Sequence, residues 1–149
     1  MKNILSLFFF VCSISLSFAQ KKMTPISQSP LTGISLPAGT KQDSRMLSVA
    51  GAKMLLEMES KKANTTLSSP EVLLLPPVTA GGFNADSLVK NLSDQGWAIS
   101  VIEGDNKYAW LQKDSRNLIM YFSMNAKETG LYFAEAASAP VQNGQGNNS

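Results

Sequence analysis

The chain has 149 residues, with 13 Lys and Arg against 11 Asp and Glu, one cysteine and no histidine. Without histidine it cannot form a Ser–His–acid or Cys–His catalytic site, and typical zinc and copper sites lose their usual ligands. The near balance of charge argues against nucleic-acid binding, which needs clustered basic side chains.

The first 19 residues have the pattern of a secretory signal peptide. Lys2 precedes an apolar run over 4–18, and Ala19 ends a small-residue cleavage motif. We expect cleavage after Ala19 and a secreted or periplasmic protein without a transmembrane segment in its mature chain. Cys12 lies inside the run, and bulky residues precede it, so lipoprotein anchoring there is not expected and the mature chain is cysteine-free. The signal ending in Phe18-Ala19-Gln20 resembles those of small exported proteins of Gram-negative bacteria, which implies a cell-envelope location.

Composition divides the rest of the chain into three parts. Residues 20–42 are rich in Ser, Pro, Thr and Gly, which is typical of a flexible tether, with one short edge strand expected near Gly33–Leu36. Residues 43–138 alternate apolar and polar positions and predict a single α+β domain. Residues 139–149 are polar and predict a disordered tail.

The first helix is predicted from a cap at Asp43 or Ser44 to about Lys62. Its apolar residues recur at helical spacing, and we expect them to face the core: Leu47, Ala50, Met54 and Met58, with Leu55 beside them. The methionines leave an alternative open, because flexible thioether side chains also line adaptable partner surfaces.

A strand and a second helix follow. Glu71–Leu75 reads as a strand buried on both faces and stopped by a Pro-Pro pair. Asn84 is the predicted N-cap of the next helix, and Gly96 is its predicted left-handed terminus.

From Trp97 the apolar period changes from 3.6 to 2. Four strands are predicted at 97–103, 107–113, 117–124 and 130–136. The short turns between them force antiparallel pairing of consecutive strands. The predicted fold class is therefore α+β, with an antiparallel meander sheet of four to five strands and two helices packed on one face.

The alternation assigns the side chains of the meander to two faces. The more apolar face is assigned to the helices: Trp97, Ile99, Val101, Ala109, Leu111, Leu118, Met120, Phe122, Leu131 and Phe133. The other face carries aromatic rings with polar tips, and we expect it to bind a partner: Tyr108, Trp110, Tyr121 and Tyr132, with Gln112. The alternative is a second core layer, covered by the N-terminal segment or by a second copy of the chain.

These features favour an exported, non-enzymatic binding domain of the bacterial cell envelope that recognises a protein or glycan partner through the aromatic face. No cofactor or metal site is expected. Two alternatives stay open. Glu103 and Asp105 flank a hairpin turn and are the carboxylates that a small hydrolase would use. A structural subunit would instead bury the aromatic face in an envelope homo-oligomer.

Overall fold

The structure, a computed structural model, describes residues 22–102 and 107–140. The elements in chain order are β1 (Met23–Pro25), β2 (Lys41–Asp43), α1 (Met46–Lys62), β3 (Glu71–Leu75), α2 (Ala85–Asp94), β4 (Ala98–Val101), β5 (Tyr108–Lys113), β6 (Arg116–Met124) and β7 (Thr129–Ala136). The signal peptide, Cys12, the carboxylates Glu103 and Asp105, and residues 141–149 of the tail lie outside the described residues.

All the strands join one antiparallel sheet of seven, in the order β1-β2-β3-β7-β6-β5-β4. The meander from β4 to β7 is confirmed, because each of these strands pairs with the next one in the chain. The predicted four to five strands understate the sheet. β3 lies inside it, between β7 and a β1–β2 hairpin contributed by the N-terminal segment.

Residues 22–42 are part of the folded domain, which corrects the expectation of a flexible tether. Ile34 and Leu36 are buried in the core. The Trp97 indole Nε1 donates a hydrogen bond of 2.9 Å to the Thr32 carbonyl oxygen, and Ser29 Oγ donates one of 2.8 Å to Glu71 Oε2. The segment packs on the domain with few apolar residues because its buried hydroxyl and carbonyl groups have hydrogen-bond partners there. The expected strand near Gly33–Leu36 is reduced to one bridging residue, at Ser35.

The two helices lie on opposite faces of the sheet, which corrects their expected placement on one face. Helix α2 and the N-terminal segment pack on the more apolar face: Ile34, Leu36, Leu88 and Leu92 contact Trp97, Leu111, Leu118, Phe122, Leu131 and Phe133. Helix α1 packs on the aromatic face, where Leu56 joins Tyr108, Trp110, Ile119, Ala134 and Ala136. Each face of the sheet therefore has its own hydrophobic core.

Helix α1 ends at the predicted Lys62, but its N-cap position is Arg45 rather than Asp43 or Ser44, and its core-facing side is the reverse of the predicted one. The side that meets the sheet contains Ala52 and Leu56. The residues expected in the core, among them Met54 and Met58, point away from it. The helix carries two apolar stripes, and the one through Ala52 and Leu56 is buried.

Helix α2 begins and ends where the sequence predicts. The Asn84 side-chain Oδ1 accepts a 2.8 Å hydrogen bond from the Ser87 backbone N–H, as an N-cap does. Gly96 follows the helix with φ of 88°, a left-handed conformation that glycine adopts without strain. Within the described residues, neither helix combines the length and the apolarity that crossing a membrane requires.

Candidate binding surface on helix α1

Two of the predicted partner-binding aromatics are core residues. Tyr108 is 6% exposed and Trp110 is 7% exposed, and both pack with Leu56 of α1. The Tyr108 hydroxyl donates a 3.1 Å hydrogen bond to the Leu55 carbonyl oxygen, which ties the sheet to the helix. The aromatic face is therefore covered, as in the second-layer alternative, but by α1 rather than by the N-terminal segment or a second copy.

The three predicted tyrosines do meet in one row across the sheet. Tyr108 lies opposite Tyr121 on β6, and Tyr121 lies opposite Tyr132 on β7. The first pair makes an edge-to-face contact with ring centroids 4.9 Å apart, and the second is stacked at 5.5 Å. Tyr121 and Tyr132 are half-buried. The row is therefore covered by α1 at Tyr108 and reaches the protein surface at Tyr132.

Gln112 lies apart from this row. Its side chain is exposed on β5, and its Nε2 donates a 3.0 Å hydrogen bond to Asn117 Oδ1. Trp110 is likewise outside the row, since its cross-strand neighbours are Ser100 and Ile119. The predicted site residues thus separate into a buried group, an emerging tyrosine pair and one exposed amide.

The outward side of α1 carries an apolar stripe that the sequence prediction had placed in the core. Leu47 is 86% exposed, Met54 66% and Met58 59%. Gly51 lies between them at helical spacing, and we call the four residues the outer stripe. Large apolar side chains aligned on an outer helix face are typical of interaction surfaces rather than of scattered surface residues.

Gly51 is unusual because nothing inside the domain requires it. A Cβ added there would have no heavy atom within 4 Å, and its φ is not in the left-handed region. Glycine in a helix interior costs about 1 kcal/mol relative to alanine. Its effect is to flatten the middle of the outer stripe, which lets another backbone approach α1 closely.

Helix α1 is bordered by a groove on each side. One groove, of about 430 Å³, runs between the outer stripe and the end of the tyrosine row, and Arg45, Glu128 and Tyr132 contribute to its lining. We call it the Tyr132 groove. The other, of about 620 Å³, is lined in part by Met46 and Lys53. Both volumes are within the range of small-ligand and peptide-side-chain sites.

The exposed charges along α1 are mainly cationic, because their carboxylate partners are turned inward. Arg45 Nη2 lies 2.7 Å from Asp43 Oδ2, and Lys62 Nζ lies 2.6 Å from Glu59 Oε1. In both pairs the carboxylate is buried and the cation is largely exposed. The Arg45 guanidinium, by hydrogen bonding, lowers the pKa of Asp43 to about 2, so the pair is fully ionised at neutral pH.

The phenol of Tyr132 supplies a neutral polar group at the floor of the Tyr132 groove. Burial raises the pKa of Tyr132, and the nearby Tyr121, Glu128 and Asp43 add to the effect. The hydroxyl therefore keeps its proton over the whole physiological range. An aromatic ring with a donor tip beside Arg45 and Glu128 can stack on a ligand and hydrogen-bond to it.

Another buried carboxylate lies away from α1. Glu71, on β3, accepts the Ser29 hydrogen bond on the face opposite to α1, and its Oε1 has no partner among the described residues. Burial raises the pKa of Glu71. It holds the Ser29 loop against the sheet, and it lines none of the grooves beside α1.

The surface around α1 therefore combines aliphatic and thioether side chains, a cationic border and one phenol. Over residues 22–102 and 107–140, no group of three or more potential metal ligands lies close enough together to hold an ion. The outer stripe was visible in the sequence as regularly spaced methionines, whereas the groove needed the position of α1 on the sheet. In comparisons with known proteins, no protein-family model, curated protein or solved structure matches this chain.

Proposed function

We propose that this protein is an exported, non-enzymatic binding module of the bacterial cell envelope that holds a protein partner on the outer stripe of α1. The observation that carries the proposal is the exposure of Leu47, Met54 and Met58 on one helix face. An apolar helix face of this kind would normally be buried in a monomer, because its burial is worth about 1.5–3 kcal/mol per large side chain.

The partner that fits this surface is an amphipathic helix with acidic flanks. Flexible methionine side chains adapt to the apolar face of a docked helix. Gly51 allows the two helix axes to come close at the middle of the contact. The exposed Arg45, Lys53 and Lys62 would then face the acidic flanks of the partner, and charge complementarity favours this partner over one with basic flanks.

The test uses two designed helical peptides that share one apolar face and differ only in flanking Glu or Lys. We expect the Glu-flanked peptide to bind, and the double variant Met54→Glu/Met58→Glu to weaken binding at least tenfold. Val78→Glu, at an exposed position outside α1, is the matched control and should bind as the wild type does. Calorimetric titration measures all the pairs. Equal binding of both peptides, or binding that survives the double variant, would contradict the proposal.

A second candidate, a glycan bound in the Tyr132 groove, is favoured by the ring that emerges between Arg45 and Glu128. Sugars bind by stacking on aromatic rings and by hydrogen bonds to charged side chains at the ring edge. Titration with envelope polysaccharide fragments separates the two candidates. Loss of glycan binding in Tyr132→Ala, with no effect of Met58→Glu, an exposed outer-stripe position that does not line this groove, would favour the glycan over the helical partner.

Export is tested separately. We expect the protein recovered from the cell envelope to begin at Gln20 when its N-terminus is sequenced. Recovery of the uncleaved chain from the cytoplasm would contradict the proposed location and would leave the peptide-binding test unaffected.

A further inference from the structure

The two edges of the sheet are protected very differently. Strand β1 forms one edge with three residues that include Pro25, and short strands and prolines are the usual protection against pairing with another chain. Strand β4 forms the other edge, and within the described residues it pairs only with β5. The stretch 97–102 that contains β4 reads WAISVI, with no charge and no proline. An edge of this composition is open to another strand.

The main-chain groups that β4 presents outward can be assigned from its register. The Ile102 N–H donates a 3.2 Å hydrogen bond to the Tyr108 carbonyl oxygen. Because hydrogen bonds in an antiparallel pair recur at every second residue, Ser100 also bonds toward β5. The N–H and C=O groups of Ile99 and Val101 therefore point away from the sheet, where no described residue pairs with them.

An apolar cleft lies beside this free edge. Val101 is 61% exposed and Val89 of α2 is 43% exposed. Together with Ile99 they border a cleft of about 90 Å³ between α2 and β4. A strand added at the edge would place every second side chain over this cleft, so main-chain hydrogen bonds and apolar contact would act together.

We propose that β4 pairs antiparallel with β4 of a second copy of this chain, about a two-fold axis that passes Ser100. In this register Ile99 lies opposite Val101 of the second copy, and Val101 lies opposite its Ile99. The outward groups at these positions then complete four main-chain hydrogen bonds, two at each pair. The result is one continuous sheet through both molecules.

The second copy fits this edge because the outward groups are symmetric about one residue. In a two-fold contact a residue near the axis lies close to its own symmetry mate, so a charge there would repel its copy. The stretch 97–102 carries none. Helix α1 packs mainly on β3, β6 and β7 and reaches β5 through Leu56, and the outer stripe faces away from the sheet, so the stripe stays accessible in the dimer. This inference is independent of the proposed function.

The register makes the test specific. At a non-hydrogen-bonded antiparallel pair the Cα atoms are about 4.5 Å apart, so Ser100→Cys should form a disulfide with its symmetry mate, in a Cys12→Ser background. Ala98→Cys is the matched control on the same exposed strand face. Its symmetry mate is four residues out of register, about 13 Å away along the strand, which is beyond disulfide reach. Non-reducing electrophoresis after mild oxidation measures both variants.

A second variant tests the hydrogen bonds themselves. Val101→Pro removes an outward N–H and leaves the bonds between β4 and β5 intact, since prolines are tolerated on edge strands. Sedimentation velocity should show dimers of the wild type at about 100 µM and at least a tenfold weaker association of the variant, as expected for a small interface. Val101→Thr keeps the N–H and should associate as the wild type does. Monomeric wild type, or equal cross-linking of Ser100→Cys and Ala98→Cys, would overturn the proposal.

Discussion

The orientation of α1 can be tested by truncating two of its residues that point in opposite directions. Leu56 is fully buried against Trp110 and Ile119, whereas Met54, two positions earlier, is exposed. Removing a buried leucine side chain costs about 2–5 kcal/mol through lost burial and the cavity left behind. Truncating an exposed methionine changes the free energy of unfolding by about 0.5 kcal/mol or less. The two alanine variants should therefore differ by at least about 1.5 kcal/mol in stability.

Urea unfolding followed by tryptophan fluorescence measures this difference. With an m-value of about 2 kcal/mol/M, Leu56→Ala should lower the midpoint by about 1–2.5 M, and Met54→Ala should leave it nearly unchanged. The two substitutions are matched because leucine and methionine have similar helix propensities, so replacement by alanine affects the helix itself equally. If Met54→Ala cost as much as Leu56→Ala, the outer stripe would be a core surface, and the argument for docking on α1 would be refuted.

Two further predictions concern helix α1 and the residues just before it. Gly51→Ala should stabilise the isolated protein by up to about 1 kcal/mol and raise Tm by about 4 °C in a thermal scan, since nothing obstructs the added methyl group; an unchanged or lower Tm would contradict this. Asp43→Asn should destabilise the protein by about 1 kcal/mol at pH 7, because the Arg45 pair is lost and the half-exposed guanidinium is screened by solvent. The folded-state pKa of Asp43 is lowered from 3.8 to about 2, so the stability advantage of the wild type is present above pH 4 and should disappear as the pH falls toward 2. Urea midpoints of the wild type and the variant across this pH range measure the advantage. A difference between the two midpoints that persists at pH 2 would contradict the pKa assigned to Asp43.

The meander was predictable from local signals alone. Short turns force consecutive strands to pair antiparallel, and the two-residue alternation of a strand determines which side chains share a face. These two signals suffice to predict that Tyr108, Tyr121 and Tyr132 lie on one face of the sheet, where the structure has them in one row. The side of the sheet on which each helix packs depends instead on how its connecting loops cross the sheet edge, and the periodicity carries no information on this.

The orientation of α1 was not predictable because the helix is ambiguous by itself. A stripe through Leu47, Met54 and Met58 is more hydrophobic than the one through Ala52 and Leu56, so periodicity selected the wrong side. The N-terminal segment was missed for a related reason. Its buried residues include Ser29 and Thr32, whose hydrogen-bond partners Glu71 and Trp97 are distant in sequence.

The central position of β7 has a consequence for how the chain completes its fold. Among the described residues, β7 is the only strand that pairs with both groups, with β1 to β3 through β3 and with β4 to β6 through β6. A chain synthesised from its N-terminus cannot join these two groups of strands into one sheet before residues 129–136 are available. Truncation before Thr129 would leave the two groups without a common ladder, so the sheet becomes one cooperative unit only once β7 is in place.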